Sequence, residues 1–295
     1  MKLGCVPYIN ALPLTHFLDP KEFEIITRPP AQLLDLLQHD KVDAALLPIV
    51  NYFEVPDLYL IPHIAIASKG PVKSVKLFIH QKENPPTSPF DKGGLEGDLK
   101  QIKFIYLDNE SRTSQLLLKT LLHYKYKMEL SQITFLKDSE DPRNQANLLI
   151  GDKALTSPSP PPYKGGGTRG RSYDLGEEWW SFTQKPFVFA AWMTKNPNQK
   201  ELSVQLKVAR DKGLQKIDEV IKTLNPPNPP LLLPEADPPS EEKGGEGGIL
   251  FLKQYFTKNI QYYMGEAELE GIQTFYEYLK PIEGYRDELN FRFVS

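Results

Sequence analysis

The sequence predicts an α/β fold with mainly parallel sheets, divided into two similar lobes. Three observations carry that expectation. Apolar runs of strand length alternate with segments of helical periodicity along the first two thirds of the chain. Two runs, Val42-Asp-Ala-Ala-Leu-Leu-Pro48 and Leu148-Leu-Ile-Gly-Asp-Lys-Ala-Leu155, look like counterparts, each a strand with an aspartate near a helix–strand junction. Asn10, Ser68, the turn 111–114 and Gly151-Asp152 all fall at predicted strand ends, where α/β folds bind ligands in a crevice.

Leu3 to Ile9 reads as a buried strand, and Asn10-Ala-Leu-Pro13 turns into a short helix with Pro13 in its first turn. Ala31 to His39 is an amphipathic helix carrying Leu33, Leu34, Leu36 and Leu37. Val42 to Pro48 is a short strand that stops at proline. Leu58 to Ser68 and Ser74 to Ile79 read as two more strands. Ile102 to Leu107 is a strand that ends in the polar turn Asp108-Asn-Glu-Ser111, and a helix follows through His123. Ile133–Leu136 and Asn147–Ile150 are short apolar strands, the second stopping at Gly151-Asp152. Glu177 to Thr183 is helical, and Pro186 to Trp192 is a buried strand. Beyond Asn198 the pattern is helical over 199–224, 250–263 and 266–279.

Composition excludes several functions. No apolar run is long enough to span a membrane. A net charge of −3 without a basic block argues against nucleic acid as a partner. Cys5 is the single cysteine, which rules out an internal disulfide or a cysteine-rich zinc site; it reads as a small buried strand residue. The amino terminus has no long apolar stretch before a cleavage site, so a cytoplasmic location is expected.

Proline and glycine concentrate in 84–99, 156–172 and 225–249, which hold 14 of the 27 prolines and 11 of the 19 glycines. Each stretch runs from proline-rich to a Lys-Gly-Gly element, at Lys92, Lys164 and Lys243. Such low-complexity units bury little, and lengthening a surface loop costs little, so they read as inserts rather than partner-binding segments.

The segment Tyr106-Leu-Asp-Asn-Glu-Ser-Arg-Thr-Ser114 is the most telling in the chain. Ser111 or Thr113 can cap the helix that follows, and a strand feeding a capped helix aims free N–H groups at whatever lies in front. Arg112 adds a fork that matches a carboxylate or a phosphate. No glycine pattern for a nucleotide triphosphate is present, so a small carboxylated ligand fits better; an ordinary well-capped helix with an exposed arginine fits equally well.

At this point the residues match a known family. Val6-Pro-Tyr-Ile-Asn-Ala-Leu-Pro-Leu14, Val42–Pro48, Ile64-Ala-Ile-Ala-Ser-Lys-Gly-Pro-Val-Lys-Ser74, Leu107–Ser114, Leu148–Leu155, and Tyr173–Trp179 leading to Pro186–Trp192 occur in that family's order. The chain resembles the chorismate dehydratases of the futalosine route to menaquinone. The resemblance implies a two-lobed, periplasmic-binding-protein-like (type II) fold with a ligand cleft between lobes. It places lobe one at 1–75 plus 190–295 and lobe two at 76–189, with hinge crossings near Ser68–Ser74 and Pro186–Trp192. The inserts depart from the family pattern without interrupting a motif, and the region after 199 matches only in character.

The resemblance also implies a substrate, chorismate, and no cofactor. Loss of water across two neighbouring ring carbons makes the ring aromatic and gives 3-[(1-carboxyvinyl)oxy]benzoate. Asn10 and Ser68 are the catalytic candidates, Asn10 because its amide can donate to the leaving oxygen. Asn10 also suits a helix cap before Pro13. Ser74, Ser111, Arg112, Thr113, Ser114, Gly151 and Asp152 are the candidates for holding substrate. His16 and Asp152 are possible bases, but the substrate's own enolpyruvyl carboxylate lies near the ring proton and is the favoured acceptor. Two other readings stay open: a cytosolic binder or sensor of a small carboxylate on the same fold, and the related 1,4-dihydroxy-6-naphthoate synthase, whose first motif Tyr8-Ile-Asn-Ala-Leu-Pro13 does not resemble.

Overall fold

The computed structural model describes residues 1–80, 99–156, 171–224 and 244–295. Its first sheet contains β1 (Lys2–Cys5), β2 (Glu24–Thr27), β3 (Ala44–Pro48) and β4 (Tyr59–Ser68), joined by helices α1 (Leu12–Thr15), α2 (Pro30–Gln38) and α3 (Val50–Glu54). The chain then lays down β5 (Val75–Ile79), β6 (Phe104–Leu107), α4 (Arg112–Thr120), β7 (Thr134–Leu136), β8 (Ala146–Ile150), α5 (Gly151–Thr156), β9 (Arg171–Asp174) and α6 (Leu175–Thr183). It returns with β10 (Phe187–Thr194) and continues through α7 (Lys200–Gln215), α8 (Ile217–Thr223), α9 (Gly244–Gln254), a π-helical turn Tyr255–Asn259, and α10 (Glu266–Leu279).

The two sheets share one plan: β2-β1-β3-β10-β4 in the first and β7-β6-β8-β5-β9 in the second. The counterpart segments seen in the sequence, β3 and β8, hold the same central place in each. The sheets are mixed, not mainly parallel. Four strands of each run in one direction, and the fifth, β10 or β5, lies between two of them and runs antiparallel to both. The reason lies in the crossings. The parallel strands run towards the cleft, so a strand that enters its sheet from the cleft must run away from it. Residues 69–74 carry the chain from β4 to β5, and residues 184–186 carry it back to β10.

Several local readings shift. The first strand ends at Cys5 rather than Ile9, because Pro7 has no N–H for a ladder and the chain turns into a 3-10 segment at Ile9–Ala11. The exposed edge strand β2 shows no buried alternation and went unseen. Arg171 and Ser172, read as the end of an insert, belong to β9 and pair with Ile79 and Phe78. The stretch 244–249 opens α9, and Leu99 is buried. Thr156 ends α5, and the remainder of the three inserts lies outside the described residues. The helical reading of 250–263 breaks at the π turn, after which Gln261 bridges Ala67 of β4. With Phe293 beside Leu60, the C-terminal chain thus covers the free edge of β4.

The return crossing is packed by aromatic rings. Trp179 of α6 meets Phe187 of β10 at 5.2 Å and Phe275 of α10 at 5.7 Å, all edge-on. No helix among the described residues is long and apolar enough to cross a membrane.

Candidate active site

The cleft lies where the parallel strands of both sheets end. From the first lobe, the turn after β1 presents Tyr8 and Asn10; from the second, Gly151 at the end of β8 and the turn before α4 present Glu110, Ser111 and Ser114. Ser74, in the crossing segment, closes the back, and Val6, Ile66 and Phe189 supply an apolar floor. The space between these walls, counted with the open solvent at its mouth, is about 550 Å³.

Ser111 is the cap of α4: its Oγ accepts from the Ser114 N–H at 3.2 Å and lies 3.0 Å from the Ser114 Oγ. The cap takes the Ser114 N–H, leaving those of Arg112 and Thr113 without an intrahelical partner, next to the Ser111 and Ser114 side of the turn that lines the cavity. Gly151 has φ +58, and a Cβ there would lie 2.7 Å from the Tyr8 ring, so only glycine lets the ring lie across the end of β8.

Contacts across the cleft hold the lobes together. Tyr8 donates to Glu110 at 2.6 Å and the Ile9 N–H to Asp152 at 3.2 Å. The Val50 N–H donates to Thr113 Oγ1 at 3.3 Å. Arg112 pairs with Glu54 at 3.4 Å and with Glu283. Of the candidate site residues, Asn10, Ser74, Ser111, Ser114 and Gly151 are brought to the cavity wall. Arg112, Thr113 and Asp152 instead spend their polar groups on these cross-lobe bonds. Ser68 is 1% exposed and is absent from the cavity wall, its Oγ 2.6 Å from where a Cβ on Gly176 would fall. His16 is exposed at the end of α1, away from the cavity lining.

The electrostatics follow burial. Burial and then the Glu110 bond push the Tyr8 phenol far above its usual value, so it stays a donor. Burial alone would raise Glu110, but the bonds from Lys153 and Tyr8 outweigh it and hold the carboxyl below its ordinary value. Burial raises Asp152, against the Ile9 bond. The Cys5 thiol is pushed up to about 12 by burial, as a packed, unreactive strand residue should be. Among the described residues, no three His, Cys, Asp or Glu gather where a metal ion could be held.

Sequence reasoning missed Tyr8, Glu110 and Lys153 as a bonded set, and Tyr255 and Tyr262 beneath Asn10. Tyr8 and Glu110 stand inside the two most specific motifs, a signal that was available. Tyr255 and Tyr262 come from a region legible only as helical.

A family model described as menaquinone biosynthesis matches residues 1–281. A chorismate dehydratase from Thermus thermophilus is 29% identical over 296 residues, covering 94% of each chain. A structural-genomics protein from Archaeoglobus fulgidus superposes with a TM-score of 0.62 at 12% identity, over 96% of this chain and 98% of its own. The periplasmic aliphatic sulphonate binding protein of Escherichia coli does so with a TM-score of 0.59 at 13% identity, over 98% and 94%. The ligand-binding component of an ABC-type import system from Staphylococcus aureus gives 0.58 at 12%, over 100% and 96%. At those identities the likeness is one of fold, two lobes about a ligand cleft.

Proposed function

Because the chain belongs to the menaquinone biosynthesis family, we propose that it is a chorismate dehydratase that eliminates water from chorismate to give 3-[(1-carboxyvinyl)oxy]benzoate. The observation that carries this reading is the convergence of Asn10, Ser74 and the capped turn of α4 on one cavity. Ser111, Ser114 and the leading N–H groups of α4 hold one carboxylate. The Asn10 amide donates to the hydroxyl that leaves from the ring. The proton on the neighbouring ring carbon goes to the substrate's own enolpyruvyl carboxylate, its bonding pair becomes the new ring double bond, and the leaving hydroxide takes that proton from the carboxyl to depart as water. The cleft contributes orientation and a fixed donor, and removal of such a donor costs about 10²–10³ in rate. Arg112, paired with Glu54 and Glu283, acts by holding the turn in place.

The test is to mix the purified protein with chorismate and follow the products by liquid chromatography and mass spectrometry, with Asn10→Ala alongside. Loss of one water, strongly slowed in the variant, is the expected result. Binding without turnover would identify a binder or sensor instead, and no binding would overturn the ligand assignment.

A further inference from the structure

The C-terminal chain brings two tyrosines to the back of the cleft. Tyr262 donates through its hydroxyl to the Asn10 carbonyl at 2.9 Å, fixing the backbone of the turn that carries Asn10. Tyr255, on the π turn Tyr255–Asn259, is 1% exposed, and its hydroxyl lies beside the Ser74 hydroxyl and the Asn10 side chain. Single π turns are frequent at functional sites.

Hydrogen-bonding capacity is unused at this point. The Tyr255 hydroxyl and Asn10 Oδ1 are both buried and both without a partner. Ser74 Oγ donates to the Val72 carbonyl at 3.5 Å, the outer limit of a bond. Polar groups left so beneath a cavity cost stability, an arrangement a fold keeps when function uses it. The Asn10 amide can turn only one end to the cavity. A donor behind it selects Oδ1 for the buried end and leaves Nδ2 facing the ligand; the opposite orientation would set an acceptor against a leaving hydroxyl.

We propose that Tyr255 is a positioning residue: its hydroxyl, accepting from Ser74, donates to Asn10 Oδ1 and so aims Asn10 Nδ2 at the leaving hydroxyl. The proposal deepens the dehydratase reading and rests on it for the identity of that hydroxyl. Burial, above all, holds the Tyr255 phenol protonated and hence a donor across the neutral range.

The test compares the wild type, Asn10→Ala, Tyr255→Phe and the double variant in kcat, KM and thermal midpoint. Tyr255→Phe is expected to lower kcat about 10- to 100-fold, as lost outer-shell partners do, while KM moves less than about two-fold. Its midpoint should fall only by the worth of about one hydrogen bond, because Asn10 Oδ1 and the Ser74 hydroxyl lose the partner assigned to them. In the Asn10→Ala background the same change should cost nothing further. A second readout needs no turnover: the side-chain amide 15N resonance of Asn10, assigned by its loss in Asn10→Ala, should shift in Tyr255→Phe. Equal losses in both backgrounds or an unmoved resonance would overturn the proposal. A wild type that leaves chorismate unchanged would overturn the reaction assigned, and the resonance would still decide the role of Tyr255.

Discussion

The Tyr8 hydroxyl donates to Glu110 Oε2 at 2.6 Å, joining residues 102 positions apart across the mouth of the cleft. Glu110 Oε1 also accepts from Lys153 at 2.8 Å, and the Tyr8 ring lies over Gly151. One side chain from the turn after β1 thus meets both cleft-facing ends of the second lobe. In a two-lobed binder such contacts set how far the equilibrium favours the closed form, and closure excludes water from the reacting ligand.

Tyr8→Phe removes the bond and keeps the ring. A bond to a charged group is worth about 1.5–3 kcal/mol, and the partial exposure of Glu110 reduces this to about 1 kcal/mol. The expected outcome in steady-state kinetics is a KM for chorismate raised about fivefold with kcat little changed. Glu110 is held below its ordinary 4.5 in the closed form, so its contribution is present above that value and lost as pH falls through the lower one. Wild-type KM should therefore climb only in acid below about 4.5. A variant with wild-type KM would remove the latch from the account.

Gly151→Ala tests the other half of the Tyr8 contact. The left-handed backbone at φ +58 costs an alanine about 1–2 kcal/mol, and its Cβ, 2.7 Å from the ring, must push Tyr8 away. Calorimetry should show a midpoint lower by roughly 2–8 °C. The displaced Tyr8 should also raise KM at least as much as Tyr8→Phe does. An alanine variant matching the wild type in both would mean that the β8 end adapts freely.

Asp174→Asn addresses the segment that places Ser74. Oδ1 of Asp174 accepts from the N–H groups of Val72, Gly176 and Glu177 at 2.9–3.1 Å, and Oδ2 accepts from Lys73 at 2.6 Å. An asparagine can keep the first three bonds only by turning its own NH₂ against the Lys73 N–H, donor to donor. The expected loss is about 2–3 kcal/mol in chemical denaturation, with turnover falling as Ser74 shifts. Unchanged stability would show that the crossing finds other partners.

How much of this was legible in the sequence depends on which force set each feature. The buried central strands β3 and β8 are continuous apolar runs, and their equivalence was readable from residue pattern alone. The cap at Ser111 was readable because capping is local chemistry. The antiparallel strands β5 and β10 were not, because direction depends on which side the chain enters a sheet, a property of the crossings. The edge strand β2 lacks the alternation that burial imposes. At the site, Asn10 and Ser74 stand in distinctive motifs, whereas Arg112 and Asp152 look like ligand residues in one dimension and are engaged across the cleft in three. Tyr255 carries no motif; only the fold of the C-terminal chain brings it beneath residues near the other terminus.

Asp152→Asn decides who takes the proton. Asp152 is a half-buried carboxylate beside the cavity, and burial raises it above its ordinary 3.8, opposed by the Ile9 N–H bond and aided by Glu110. A raised carboxylate favours the folded, closed form fully below the unfolded value, and that advantage is lost as pH rises through the folded one. At pH 7 the ionised group therefore counts against closure. Asparagine still accepts from the Ile9 N–H and carries no charge, so its thermal midpoint at pH 7 should equal or exceed the wild type's. The difference should vanish below about 3.8, where both side chains are neutral. If the substrate's own carboxylate is the base, kcat should stay within about threefold of the wild type, far less than the 10²–10⁴ expected for loss of a general base. An Asp152→Asn protein that binds chorismate with wild-type affinity but does not turn it over would move the base to Asp152 and end the substrate-assisted mechanism.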